Sequence, residues 1–578
     1  MSPLRSATSA LFSPPVRRLP LAGVLRVGRP SDIWFKPALS VVAAIAPPNL
    51  ALLALGRLDL AMYTMAGSLC ALYAHNRPYA ARARALVWVV LGMLGGLAVA
   101  LVAASLTASA VVLVTVGALL AAVQKALCDA TRVGPPGHVV LTFVSSASLF
   151  APQTLAQVPG HLALAAATGV WAWLVCMVPA LVRPHGPERR ATAAALKAAA
   201  AYADMGGTGG TGGTGGTGGT GGTGGTGGTG EGQARARAAG CAAVQAAWQS
   251  LLSTGAPSRT RRALEPLVVR AEVALAAPTE ADAGRLRAWA DALRGTGPVP
   301  RAGLERAAAD ELLGVEAARG LWTRLGPLTP LAVRTALGCA LAGYASLVLG
   351  IGRPYWALVT AASLYQANIA LTWSRAVQRV VGNVVGVLVF AAVAPLAHLG
   401  QAALVVCCLA FSFGAELLIS RNYWLGSVCV TPMALLITEF AGYQKPGELM
   451  TERLVDTFVG ALVGFAAAVA VTNRRAGDRV ERALTAAERA RERAARLLAE
   501  PHPDPAALEA ARRALAVALA DLRATADAAA GEWWQRALPQ ERVVLAEQSG
   551  HRTLAATARR QGLLPDRGTD TKTEDARP

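Results

Sequence analysis

Charge-free stretches along the chain are too long to be single helices: residues 85–124 run 40 positions, 133–182 run 50 and 380–415 run 36 without a charged side chain. Each has room for two apolar helices of about 20 residues, the length that crosses a hydrocarbon core. With the shorter runs added, the pattern predicts spans near 37–56, 59–75, 85–105, 107–123, 138–155 and 161–182. A second set falls near 331–350, 355–373, 377–394, 400–419, 422–438 and 454–472. Outside these blocks the hydrophobic residues recur at helical spacing in Ala/Leu/Arg-rich segments at 184–205, 232–254, 258–276, 279–294 and 301–322. The same style returns at 477–499, 505–529 and, more weakly, 538–558. The fold expected is all-α: a polytopic membrane protein with two repeated blocks of about six transmembrane helices, each followed by cytoplasmic helical segments.

Charge supports the partition and orients it. Residues 37–182 hold 8 charged side chains and 329–472 hold 12, in a chain of 578 residues that is 53% hydrophobic and 16% charged. A soluble core does not account for two such blocks, whereas a bilayer excludes charge without needing an alternating polar face. The net charge of +19 is spread over all segments, so no part is basic enough to suggest nucleic acid. With the N-terminus inside, the inner turns carry Arg77, Arg82, Arg84, Lys125 and Arg132, and later Arg375, Arg379 and Arg421. The outer turns carry Arg57 and, in a long turn at 439–453, Glu439, Glu448 and Glu452. Both termini are then cytoplasmic in a multi-pass plasma-membrane protein. The expected organisation is a cytoplasmic arm at 1–36, a first block at 37–182, a cytoplasmic helical domain at 183–328, a second block at 329–472, a cytoplasmic helical tail at 473–561 and a disordered end at 562–578. The arm lacks the apolar core and cleavage site of a signal peptide.

Within the middle domain, residues 206–229 are eight GGT triplets. No Lys-Ser/Thr follows the glycines, so they read as a flexible insert at 206–230 and not as a phosphate loop. The blocks echo one another. Gly56-Arg57 precedes the second span as Gly352-Arg353 precedes the eighth, and Gly92-x-x-x-Gly96 matches Gly382-x-x-x-Gly386. Glycines four apart let helices approach closely. The eight cysteines show no ligand spacing and read as free thiols.

The most informative stretch runs from Gly352-Arg-Pro-Tyr-Trp through Gln366 to Ser374-Arg-Ala-Val-Gln-Arg379 and Gly382-x-x-x-Gly386. It resembles the FUSC family of fusaric-acid-resistance-like and aromatic acid exporter membrane proteins. Tyr355, Trp356, Gln366, Arg379, Gly382 and Gly386 stand at that family's motif positions. Arg453-x-x-Asp456-Thr457-x-x-Gly460-x-x-x-Gly464 resembles its last span. In the first block Val89 replaces the motif arginine. The resemblance implies a bacterial plasma-membrane exporter of small organic acids, aromatic carboxylates among them, with no cofactor.

Each residue carries two readings. Tyr355 and Trp356 are anchors in the aromatic belt or contacts for substrate. Arg375 and Arg379 pin an inner turn or present guanidinium forks to a carboxylate. Gln366 and Asn368 satisfy neighbouring helices or line a polar path. Asp456 pairs with Arg453 one turn away or carries a coupling proton, and Glu416 snorkels toward Arg421 or does the same. Metalloprotease, paired-acid and Ser/His/Asp motifs are missing, as is an ATP loop, so the chain reads as a secondary exporter driven by a gradient and not as an enzyme. The expected partners are the lipid bilayer, a small organic anion and either a second copy or an accessory envelope protein. The competing reading is a non-transporting scaffold whose cytoplasmic helices bind an envelope or cell-division partner.

Overall fold

The computed structural model describes residues 21, 23–28, 35–131, 133–207, 226–253, 258–295, 297–301, 325, 328–366, 368–471, 476–530 and 540–561. Among them lie nineteen α-helices. The first block contains α1 (Phe35–Ala54), α2 (Ala61–Ser68, lengthened by 3-10 turns at Leu58–Leu60 and Leu69–Leu72), α3 (Tyr79–Leu106), α4 (Ala110–Thr131), α5 (Val139–Leu149) and α6 (Val158–Val182). Outside it follow α7 (Gly186–Gly207), α8 (Thr226–Leu252), α9 (Arg259–Ala276) and α10 (Ala283–Arg294). The second block is α11 (Thr329–Val348), α12 (Tyr355–Leu364), α13 (Ile369–Ala397), α14 (Gln401–Ile419), α15 (Tyr423–Glu439) and α16 (Pro446–Ala470). The tail is α17 (Ala476–Ala499), α18 (Pro505–Ala530) and α19 (Gln540–Arg560).

Eight of these helices are long and apolar enough to cross a membrane, and the protein is a multi-pass membrane protein. The other four apolar segments are shorter, and they are the second and fifth of each block. The expected span at 355–373 is where the difference matters. Its helix stops at Leu364, and α13 starts at Ile369 and continues through Ser374, Arg375 and Arg379 without the expected turn. The cause is local: the Asn368 side chain accepts the Leu371 N–H at 2.8 Å, an N-cap that starts a new helix. Hydropathy does not register such a cap. The turn expected at 439–453 is also shorter. Helix α15 runs to Glu439 and α16 begins at Pro446, a proline placed where its missing N–H costs nothing.

Helix pairing is alike in the two blocks. In each, the second element packs on the sixth and the third on the fifth: α2 on α6 and α3 on α5, then α12 on α16 and α13 on α15. The blocks meet through α4 with α11, α5 with α12 and α1 with α14. Of the GGT insert, residues 206–207 and 226–230 are helical ends of α7 and α8, and 208–225 lie outside the described residues, as do Arg132, the helix expected at 301–322 and the end at 562–578. All eight cysteines are free.

Helices α7–α10 enclose one apolar core around Leu196, Leu264, Leu267 and Leu286, and α17–α19 enclose another around Leu484, Leu515 and Leu522. A buried ionic network joins the two. Arg512 reaches Glu272 at 2.6 Å and Glu509 at 2.7 Å, and Arg513 reaches Glu265 at 2.9 Å and lies over the Trp248 ring. Burial pushes the Glu509 carboxyl up, but the charges and hydrogen bonds of Arg512 and Arg513 more than reverse this and hold it at about 2. Burial, aided by the Arg237 charge, drives the His551 imidazole on α19 down to about 3. Both groups bind fewer protons folded than unfolded, so stability falls as pH falls, for His551 below about 6.5 and for Glu509 between about 4.5 and 2. The expected result is that these helices loosen before the apolar blocks do. Hydrogen exchange at pH 7.5 and pH 4.5, expressed as protection factors relative to the intrinsic rate at each pH, checks it: protection of α9 and α18 is expected to fall at pH 4.5 more than that of the apolar blocks, and equal protection at both pH values would count against it.

Candidate functional site

Small residues bring four helices of the second block unusually close. A Cβ built on Gly460 would lie 2.5 Å from the Ala357 carbonyl oxygen, and one on Gly464 would lie 3.0 Å from the Ala361 Cβ, so α16 and α12 touch nearly backbone to backbone. Gly382 and Gly386 do the same for α13 against Trp424, Ser427 and Thr431 of α15. The first-block pair is unequal. Gly96 sits hard against Gln124 and Ser145, whereas a Cβ on Gly92 would meet only Leu141, at an ordinary 3.7 Å.

Between these helices lies a chain of buried polar groups. The Arg453 guanidinium stacks 4.0 Å over the Trp356 ring, and its Nη2 donates to Asn383 Oδ1 at 3.1 Å. Thr431 donates to the same oxygen at 2.6 Å, while Asn383 Nδ2 donates to the Arg379 carbonyl at 2.9 Å. Arg379 Nη1 donates to the Tyr423 hydroxyl at 3.1 Å, and the Arg375 guanidinium lies 3.8 Å over the Tyr423 ring. On the neighbouring face of α16, Asp456 accepts from Ser346 at 2.6 Å.

The expected pairing of Arg453 with Asp456 is absent. Arg453 is 1% exposed, yet its Nε and Nη1 lack partners, as do Arg379 Nε, Asp456 Oδ2, Trp356 Nε1, Thr360 Oγ1 and Ser427 Oγ. The two side chains leave α16 one turn apart, but the flat face of Trp356 and the carboxamide of Asn383 draw the guanidinium away from the acid. A buried charge costs several kcal/mol unless paired and hydrogen-bonded, so these unfilled donors set the cluster apart from ordinary helix packing.

Other expected residues fall differently. Tyr355 and Trp356 are not belt anchors: both are buried, and their rings stack on Phe150, just past the end of α5, and on Phe143 of α5 in the first block, at 5.8 and 5.7 Å. Arg375 and Arg379 stand on a continuous helix, six and ten positions beyond its first residue, and not in a turn. Asn368 is occupied as the cap of α13, and Gln366 lies half-buried at the break, its N–H bound by Thr372 at 3.2 Å. Glu416 is half-buried on α14, and among the described residues no ion pair or side-chain hydrogen bond joins it to Arg421 or to this cluster. Asn383, Thr431, Tyr423 and Ser346 were not anticipated. The spacing held a signal for Asn383 alone, which follows Arg379 by four and so shares its helix face.

The comparisons bear on this same block. Residues 340–467 match the family model FUSC_2, described as fusaric acid resistance protein-like. The second block is similar to that family's domain. The match covers every residue of the polar cluster and confirms the resemblance read from the motif. An uncharacterized membrane protein of Bacillus subtilis (strain 168), YvaC, is 35% identical over 121 residues, which are 21% of this chain and 19% of that protein. The aligned part thus spans about a fifth of the relative's length. No solved structure matches.

Proposed function

We propose that this FUSC-like protein is a secondary exporter of small organic acids, aromatic carboxylates among them, with both termini on the cytoplasmic side. The observation that carries the reading is the pair of buried arginines, Arg379 and Arg453, whose donors are left unfilled between helices of the second block. An anion passing between α12, α13, α15 and α16 would meet both, with Asn383 joining them and the Trp356 face beneath one. The break between α12 and α13 supports it, since interrupted helices in a bundle are where transporters place their sites. The like pairing of helices in the two blocks supports a duplicated six-span unit, while Val89 and Met93, which stand three residues before and one after Gly92 as Arg379 and Asn383 do for Gly382, leave the charge cluster to the second block.

Asp456 is the better carrier of a coupling proton than Glu416. It is fully buried, lies one turn from Arg453 and keeps one oxygen unpartnered, whereas Glu416 stands outside the cluster. Proteoliposomes preloaded with benzoate and given an inward proton gradient test both parts. Efflux above protein-free vesicles is expected, and equal rates across a broad panel of acids would remove the export reading. Asp456→Asn is expected to erase the stimulation by the gradient, and Glu416→Gln to keep it; the reverse pattern would move the coupling site to α14.

A further inference from the structure

Residues 23–28 form a short irregular segment lying against the turn between α14 and α15. The body of the protein holds it almost wholly by its backbone. Gln378 Nε2 donates to the Val24 carbonyl at 2.8 Å, and Asn422 Nδ2 to the Val24 and Arg26 carbonyls at 3.1 and 3.0 Å. Trp424 Nε1 donates to the Leu25 carbonyl at 3.1 Å, and the Gly28 N–H donates to the Arg421 carbonyl at 3.0 Å. A Cβ on Gly28 would sit 3.0 Å from that same oxygen, a tight contact with backbone that a branched residue there would strain.

Every anchoring side chain neighbours a residue of the arginine cluster. Gln378 precedes Arg379, and Asn422 and Trp424 flank Tyr423, which takes the Arg379 hydrogen bond and carries Arg375 on its ring. We propose that residues 23–28 are an autoinhibitory strap. Docked, they pin the start of α15 with Tyr423 against Arg379 and Arg375 and close the approach to the buried arginines from that end; undocked, they open it. The idea rests on the export reading above.

The dock has the character of a reversible contact. A permanent staple would bury apolar side chains, yet only Val24 is buried here, and Leu25 and Val27 are exposed. The exchanged groups are backbone carbonyls and half-buried side-chain donors, and single hydrogen bonds of this kind are worth little net once water replaces them. Helix α1 begins seven residues beyond Gly28 and packs on α14, so the strap stays within about 25 Å of its dock and rebinds intramolecularly.

The test uses the full chain in proteoliposomes loaded with radiolabelled benzoate. Gln378→Ala combined with Trp424→Phe removes two of the anchoring bonds from the body, and Gly28→Val dislodges the strap from its own side, so a folding defect in one leaves the other. Loss of two such bonds is expected to speed hydrogen exchange at 421–426 and raise efflux about tenfold. Faster exchange with wild-type efflux would overturn the strap and leave the export reading standing. A silent wild type with active variants would support it. Silence in wild type and variants across the acid panel would overturn the export reading, and the strap with it.

Discussion

Arg453→Met is expected to lower benzoate efflux by about 100-fold while membrane abundance and thermal stability stay level or rise. The two effects part because the guanidinium is buried without a carboxylate partner in the resting protein. Its one hydrogen bond, to Asn383, and its stack on Trp356 offset only part of the cost of dehydrating it. An apolar side chain of similar length fills the same space and removes that cost. The anion loses a charge-assisted partner in a dry site, an interaction whose loss is typically worth 2–5 kcal/mol, or about 30-fold to several thousandfold in rate. Arg453→Lys keeps the charge but loses the planar stack and the fork, so an intermediate rate is expected. A residue serving only as packing would show the opposite pattern, with abundance falling and the specific rate per folded molecule unchanged. Normal efflux in the methionine variant would remove Arg453 from the path.

Gly460→Val is expected to abolish folded protein, measured as loss of the monodisperse peak in detergent size exclusion. Its Cβ would lie 2.5 Å from the Ala357 carbonyl oxygen, 3.1 Å from the Ala357 carbonyl carbon and 2.8 Å from the Thr360 Cβ. Two of those atoms are backbone, so the neighbour cannot swing aside and the helices must separate. Overpacking of this kind costs on the order of 3 kcal/mol or more, a large share of the stability of any fold. Separation would also pull α16, with Arg453 and Asp456, away from α12 and Trp356. Gly92→Ala is the matched control. Its Cβ would touch only the Leu141 side chain at 3.7 Å, and alanine favours a helix interior over glycine by about 1 kcal/mol, so folded yield is expected to hold or rise. Equal losses in the two variants would show that the close approach of α16 to α12 is not what limits folding.

The contrast between those glycines shows where sequence reading reaches its end. A pair four apart announces a small helix face, and Gly92-x-x-x-Gly96 and Gly460-x-x-x-Gly464 look the same on paper. Which glycine meets another backbone depends on a helix elsewhere in the chain: α12 for Gly460, and α4 with α5 for Gly96. The same limit explains Trp356. An aromatic pair at the start of an apolar run suits the membrane interface, and nothing local says that Phe143, more than 200 residues earlier, covers it.

By itself the sequence determined the two apolar blocks, the helices outside them and the likeness of the second block to the FUSC family. All of these follow from local composition, periodicity or short motifs. Tertiary structure alone decided that Arg453 turns to Trp356 and Asn383 while Asp456 turns to Ser346, and that residues 23–28 lie beside Tyr423. The physical reason is that a buried charge takes its partners from whatever helices close around it, and those partners lie 70 to 110 positions away along the chain in the Asn383 and Ser346 contacts.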